Sequence, residues 1–336
     1  MIQLSRNILL QLLALLLVFV ASAACLAQQN KSTWETLTCE GAPSARHENS
    51  FVEVGGKLYL LGGRGIKPVD IFDPERKSWS KGQEPPVEVH HFQAVAYAGK
   101  IYIVGAMTGA YPREKPLERI LIYNPGADAW EWGATIPADR RRGSAGVVVA
   151  GDKAIVVSGI IDGHWEGHVP WVDSYDFKTG EWSKLPDAPR PRDHFHAAIK
   201  NGIIYCAGGR NSSTKTGETF TLTIPEVDVY DTRKKRWSTL PAANNIPTQR
   251  AGASSIFLKN DLLLIGGESA AQTTAHNEVE AYNIKEKTWR KLPPLNTGRH
   301  GTQAIYYKNA VFLAAGCGNR GGKPELDSVE KMTDRK

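Results

Sequence analysis

The stretch Arg192-Asp193-His194-Phe195-His196, running through an apolar strand to Ile203-Ile204-Tyr205-Cys206-Ala207-Gly208-Gly209-Arg210, decides how the chain is read. A charged opening leads into a strand, a short turn, a second strand and a paired-glycine stop. The same order occurs six times, ending at Gly62-Gly63, Gly105-Ala106, Ser158-Gly159, Gly208-Gly209, Gly266-Gly267 and Ala315-Gly316. An apolar run precedes each doublet: Leu58–Leu61, Ile101–Val104, Ala154–Val157, Ile203–Ala207, Leu262–Ile265 and Val311–Ala314. A loop of variable length follows, then a strand ending in an aromatic, with a tryptophan seven positions on. These pairs are Phe72/Trp79, Tyr123/Trp130, Tyr175/Trp182, Tyr230/Trp237 and Tyr282/Trp289. Asp73-Pro74 and Asn124-Pro125 supply turn residues between them.

Each unit therefore reads as four short strands in a meander, with doublets 43 to 58 residues apart. That is the kelch period. On these doublet, aromatic and tryptophan positions the chain resembles kelch-repeat β-propellers, and the resemblance covers essentially the whole mature chain. The fold class it implies is all-β, a six-bladed kelch propeller forming one domain over 28–336. The sixth unit reaches Val329-Glu330-Lys331-Met332, and its tryptophan would fall beyond Lys336. A spare one waits in Ser32-Thr33-Trp34-Glu35-Thr36-Leu37. The expectation is that this segment supplies the missing outer strand of blade six, closing the ring and leaving only short protected edges. The repeated tryptophans then bury apolar surface between blades, worth about 25 cal/mol per Å². They are core rather than a ligand platform.

Residues 1–27 read as a secretory signal. Arg6 precedes an apolar run from Ile8 to Val20, and small residues lead to a cleavage site before Gln28. The competing reading makes Cys25 a lipidated residue. Either places the protein outside the cytoplasm, secreted or periplasmic. The apolar run is short for a membrane span. Beyond the signal, Cys39, Cys206 and Cys317 are too few for a disulfide framework, and Cys206, inside a strand, reads as a small buried side chain. The net charge of +6 is spread without a lysine or arginine block, so a nucleic-acid partner is not expected. A monomer is.

Sixteen residues before each doublet stands the column Arg46, Val89, Arg142, Arg192, Arg250 and Arg299. In a four-stranded meander the lead into strand one and the loop after strand two lie at one end. These arginines would then ring the axial mouth, with Arg64, Arg210, Glu268, Asn319 and Arg320 on the loops above. Guanidinium groups grip planar oxyanions bidentately, so Arg46, Arg64, Arg142, Arg192, Arg210, Arg250 and Arg299, with His91, are the candidate ligand-binding residues. The competing reading gives the column a structural role, bonding loop carbonyls or the neighbouring blade.

The next column is His47, His90, Gly143, Asp193, Ala251 and His300, and the one after is Glu48, His91, Ser144, His194, Gly252 and Gly301. Asp193, His194, His196 and Glu268 are candidates for proton transfer. No cofactor is expected; if a metal binds, His47, His90 and His300 from three consecutive blades would hold it. The loop Ile160–Trp171 carries Asp162, His164, Trp165, Glu166, His168 and Trp171, and would overhang the mouth. The Ser/Thr-rich insert Asn211–Pro225 reads as a mobile rim.

Known kelch propellers suggest three functions. The chain resembles exported bacterial kelch proteins of the galactose oxidase-like superfamily, but it lacks the adjacent Tyr-His pair of the copper-radical oxidases. Resemblance to the periplasmic sialic-acid mutarotase class implies a pocket where arginine and glutamate meet a carboxylated sugar, with Arg142, Arg250 and Glu268 in those roles. Resemblance to the kelch domain that senses oxidative stress implies arginines that bind acidic peptides, hence a protein-interaction module. The expectation is an exported propeller that binds a small anionic ligand, an acidic sugar or oligosaccharide, with isomerase chemistry. A protein partner, or a metal-dependent carbohydrate lyase or oxidase, is the alternative.

Overall fold

The computed structural model describes residues 33–334. The signal segment 1–27 and Cys25 lie outside the described residues. Six four-stranded antiparallel sheets follow one another, with two small hairpins added on loops. Blade four, for example, consists of Ala197–Lys200, Ile203–Cys206, Asp228–Asp231 and Arg236–Thr239, hydrogen-bonded in chain order. The first strands of consecutive blades pack on one another around the circle, and those of blades one and six also meet. The first strand of each blade therefore faces the axis. Trp34–Thr36 pairs with Val329–Thr333, with Trp34 opposite Met332, as the outer strand of blade six.

The first member of every doublet takes a left-handed backbone: φ is 70° at Gly62, 68° at Gly105, 54° at Ser158, 71° at Gly208, 64° at Gly266 and 57° at Ala315. The second member reaches the next blade. Gly63 donates its N–H to Val89 at 2.9 Å, Gly159 to Arg192 at 2.9 Å, Gly209 to Arg250 at 3.0 Å, Gly267 to Arg299 at 2.9 Å and Gly316 to Arg46 at 2.8 Å, in each case to the carbonyl. A Cβ on Gly266 would lie 2.2 Å from the Arg299 carbonyl, so the close approach itself requires glycine there.

The outer strands are fastened differently. The indole N–H groups of Trp130, Trp182, Trp237 and Trp289 donate to Gln83, Thr135, Pro186 and Asn244 carbonyls of the preceding blade, at 2.9 to 3.1 Å. Each ring also packs on the aromatic seven positions earlier, as in Tyr230–Trp237 at 5.0 Å between centroids. The repeated tryptophans thus join blades and do not form a ligand platform. Cys206 and Cys317 are buried free thiols, and burial pushes Cys206 up to about 12, which keeps it unreactive.

Both insertions are better packed than their compositions suggest. The segment after the third doublet folds as a hairpin, Ile160–Asp162 against Glu166–His168. Trp165 and Trp171 are half-buried under Arg113 and Arg140 rather than exposed. In the Asn211–Pro225 insert, Ser212 is fully buried and Ser213 and Thr219 nearly so. This segment therefore contributes to the wall of the mouth through Phe220, while Lys215–Gly217, Thr221 and Leu222 stay exposed on its outer side.

Candidate ligand site on the propeller axis

The arginine column does not line the mouth. Arg46, Arg142, Arg192, Arg250 and Arg299 are 0 to 3% exposed and turn into their own blades. Each donates to the carbonyl of its doublet's first residue: Gly62 at 2.8 Å, Ser158 at 2.7 Å, Gly208 at 2.8 Å, Gly266 at 2.6 Å and Ala315 at 2.9 Å. Each also pairs with a buried carboxylate on the third strand: Asp70, Asp173, Asp228, Glu280 and Glu330. Burial lowers the Arg142 guanidinium to about 10, and Asp173 opposes the shift, so the guanidinium is charged at neutral pH. Blade two has Val89 in this column and Leu121 opposite, both fully buried. The five arginines tie the second turn to the third strand. This corrects the expectation that they grip a ligand.

The following column sits differently. Glu48, His91, Ser144, His194, Gly252 and Gly301 all have left-handed backbone, with φ between 51° and 65°. Their amides form a belt from blade to blade: His91 donates to Glu48 at 3.0 Å, Ser144 to His91 at 2.9 Å, Gly252 to His194 at 2.6 Å and Gly301 to Gly252 at 3.0 Å. The side chains of Glu48, His91 and His194 thereby come to the axis, while blades five and six contribute only glycine. His164, at the tip of the blade-three hairpin, completes the group. The rings of His91, His164 and His194 lie 4.7 to 4.9 Å apart, centroid to centroid.

Above this group opens a cavity of about 1060 Å³. Arg64, Arg210 and Lys323 bring positive charge to its lining, Glu48, Glu268 and Glu325 negative charge, and Tyr111 and Phe220 flat apolar surface. Arg210 donates through Nε to Ser212 at 2.7 Å and through Nη1 to Glu268 at 2.6 Å, and its guanidinium lies 4.9 Å from the Phe220 ring. Its Nη2 makes no hydrogen bond among the described residues. Glu268 also accepts from the Gly321 amide at 2.8 Å. Burial alone would push Glu268 up; His300 and Arg210 outweigh it and hold the carboxyl at about 2. Arg64 pairs with the buried Glu114.

His47, His90 and His300 do not converge. His47 Nδ1 bonds Glu325 at 2.7 Å. His90 Nε2 donates to the Gly109 carbonyl at 3.1 Å, and its Nδ1 lies 2.6 Å from His91 Nδ1. His300 Nε2 meets the carbonyls of Asn319 and Gly321, each at 2.9 Å. Bonds along each rim loop hold these rings apart, so the three-blade metal set expected from the sequence is not formed. Among the proton-transfer candidates, only Glu268 lines the cavity. His194 lies just beneath it, lining the narrow axial channel, and Asp193 stands behind His194, bonded to that ring and to Ser212. His196 is beneath the belt, in the narrow axial channel, where burial lowers it to about 4.

Sequence comparison places this architecture. A match to the family described as the Attractin/LZTR1 β-propeller covers residues 22–274. The chain belongs to this family. Within the wider set of kelch proteins it is 27% identical over 303 residues to Kelch-like protein terF of Aspergillus terreus, covering 85% of this chain and 64% of that protein. It is 25% identical over 280 residues to human Kelch-like protein 23, covering 82% of this chain and 46% of the relative. The chain thus spans less than two thirds of the length of these relatives. Among solved structures, that of YjhT superposes with a TM-score of 0.72 at 15% identity, covering 87% of this chain and 96% of the other. At that identity the likeness is one of fold.

Within this Attractin/LZTR1-type propeller, Glu48, His164, Phe220 and Lys323 reach the site without having been singled out as site residues. Glu48 stands in the column that also carries His91 and His194, which was the available signal. His164 and Phe220 come from insertions expected at the mouth, but which of their side chains turn into the site no strand spacing encodes.

Proposed function

We propose that this propeller binds a small anionic ligand at its axial mouth, an acidic sugar or short oligosaccharide, as an exported monomer. The Arg210 guanidinium carries the reading. It is nearly fully buried and held rigid by Ser212, Glu268 and Phe220, but its Nη2, without a partner among the described residues, is left to an oxyanion entering the cavity. Arg64 and Lys323 add positive charge from other blades, while Phe220 and Tyr111 offer faces on which a sugar ring stacks. A cavity of this volume suits a small ligand rather than a chain of many sugars.

The site also suits mutarotase-type isomerisation. Glu268, a carboxylate of the cavity lining, can accept the anomeric hydroxyl proton, while water in the open cavity protonates the ring oxygen as the ring opens. Rotation about the C1–C2 bond and closure on the other carbonyl face, with both proton transfers reversed, give the other anomer.

The test is thermal stabilisation by a panel of uronic acids, sialic acids and sulfated sugars. One class is expected to raise the melting temperature, and Arg210→Ala to remove that rise without altering the ligand-free circular dichroism. Silence across the panel rejects the reading. A second reading rests on Ile66, Tyr111, Ile161 and Leu222, exposed apolar side chains that all stand on loops around the mouth. They favour a protein partner on the same face, and a co-purified protein displaced by Tyr111→Ser would support it.

A further inference from the structure

We propose that His91, His164 and His194 form a binding site for one divalent first-row transition cation, coordinated through their three Nε2 atoms at the floor of the cavity. The inference does not depend on the identity of the ligand above.

The ligand atoms of these three residues lie within 4.8 Å of one another. The hydrogen bonds behind them fix the tautomers. His164 Nδ1 lies 2.9 Å from Glu114 Oε1, a carboxylate that Arg64 also holds, so that nitrogen carries the proton. His194 Nδ1 bonds Asp193, whose two oxygens also accept from the Ser212 hydroxyl and amide at 2.7 and 2.8 Å. His90 donates through Nε2 to the Gly109 carbonyl, so its Nδ1 is an acceptor and His91 Nδ1 must donate to it. All three protons are thus committed outward. All three Nε2 lone pairs point inward.

That convergence is unfavourable without a cation. His164 Nε2 and His194 Nε2 stand 3.1 Å apart, and in these neutral tautomers neither has a proton to give the other. Glu48 Oε2 brings a carboxylate to 3.5 Å from His91 Nε2. Two nitrogens bound to one ion at about 2.1 Å lie roughly 3.0–3.4 Å apart, and the His164–His194 pair already has that spacing. The outer partners are those that orient metal-bound imidazoles and increase their basicity, a carboxylate behind each of two rings and a fourth imidazole, His90, behind the third. An all-imidazole set favours zinc, copper, nickel, cobalt or iron over magnesium or calcium. Three protein ligands leave positions open toward the cavity, with Glu48 beside them.

The test uses the full chain, stripped with a chelator, dialysed and titrated with Co²⁺ and with Zn²⁺ near neutral pH. One equivalent should bind. His164→Ala and His194→Ala should each abolish it, and Glu114→Gln and Asp193→Asn should weaken it about 10–100-fold. X-ray absorption on the loaded wild-type protein should count three imidazoles, a readout that stands even if a variant fails to fold. No stoichiometric binding, fewer than three imidazoles, or full binding by folded His194→Ala would overturn the proposal. In that case the His164–His194 contact holds a shared proton instead.

Discussion

The arginine collar and the histidine group are both polar clusters buried near the mouth, one or two columns apart in the same repeat, and they end in opposite states. Every collar arginine finds its partners inside its own blade, a doublet carbonyl and a third-strand carboxylate. The axial histidines spend their outward hydrogen bonds on Glu114, Asp193 and His90 and direct what remains at one another. A satisfied cluster holds a fold together. A cluster whose lone pairs converge is arranged for something that is not part of the chain. Repetition separates them as well: the collar recurs in five blades, whereas the histidines occupy only one side of the axis and rely on an insertion.

The sharpest way to break this contrast is to remove one collar arginine. Arg250→Ala leaves Glu280 charged, buried and deprived of its guanidinium, and should cost about 3–5 kcal/mol in chemical denaturation. A loss of ligand binding with unchanged stability would return the collar to the role expected from the sequence.

A smaller effect lies in the cavity wall. Glu268 is held at about 2 against an ordinary 4.5, so its contribution is complete above pH 4.5 and disappears as pH falls toward 2. Glu268→Gln should lose at most about 3 kcal/mol at neutral pH and should converge with wild type across that acid window. Parallel curves over the window would show that the carboxylate is not paired as described.

The smallest change is expected from a substitution that copies blade two. Val89 and Leu121 occupy the collar and partner positions there and pack in the core. Arg250→Val with Glu280→Leu should be less destabilising than Arg250→Ala alone, by about 1 kcal/mol or more, because no charge is stranded. A double variant worse than the single would mean that the collar's carbonyl contacts outweigh its ion pair.

The same pairing explains what the sequence did and did not disclose. The fold was legible because doublet, aromatic and tryptophan recur at fixed offsets within strands. The acidic partners recur too, two positions before Phe72, Tyr175, Tyr230, Tyr282 and Met332, with Leu121 in the blade that lacks the arginine. Counting from the doublet hides them, since the intervening loop varies in length. The column of Glu48, His91 and His194 was visible, but not that its left-handed backbone would turn it to the axis. His164 was visible on a loop expected to overhang the mouth, but not its meeting with His91 and His194, because contacts with Pro112 and Glu114 place the hairpin that delivers it. Only packing shows which of two adjacent polar columns is closed and which is open.

The most direct measurement is anomalous diffraction from a crystal of the wild-type protein grown with Co²⁺ or Zn²⁺. The account predicts one strong peak on the axis, at bonding distance from the Nε2 atoms of His91, His164 and His194, and none beside the arginine collar. A metal-saturated crystal whose axial group is empty, with the three rings unchanged, would contradict it.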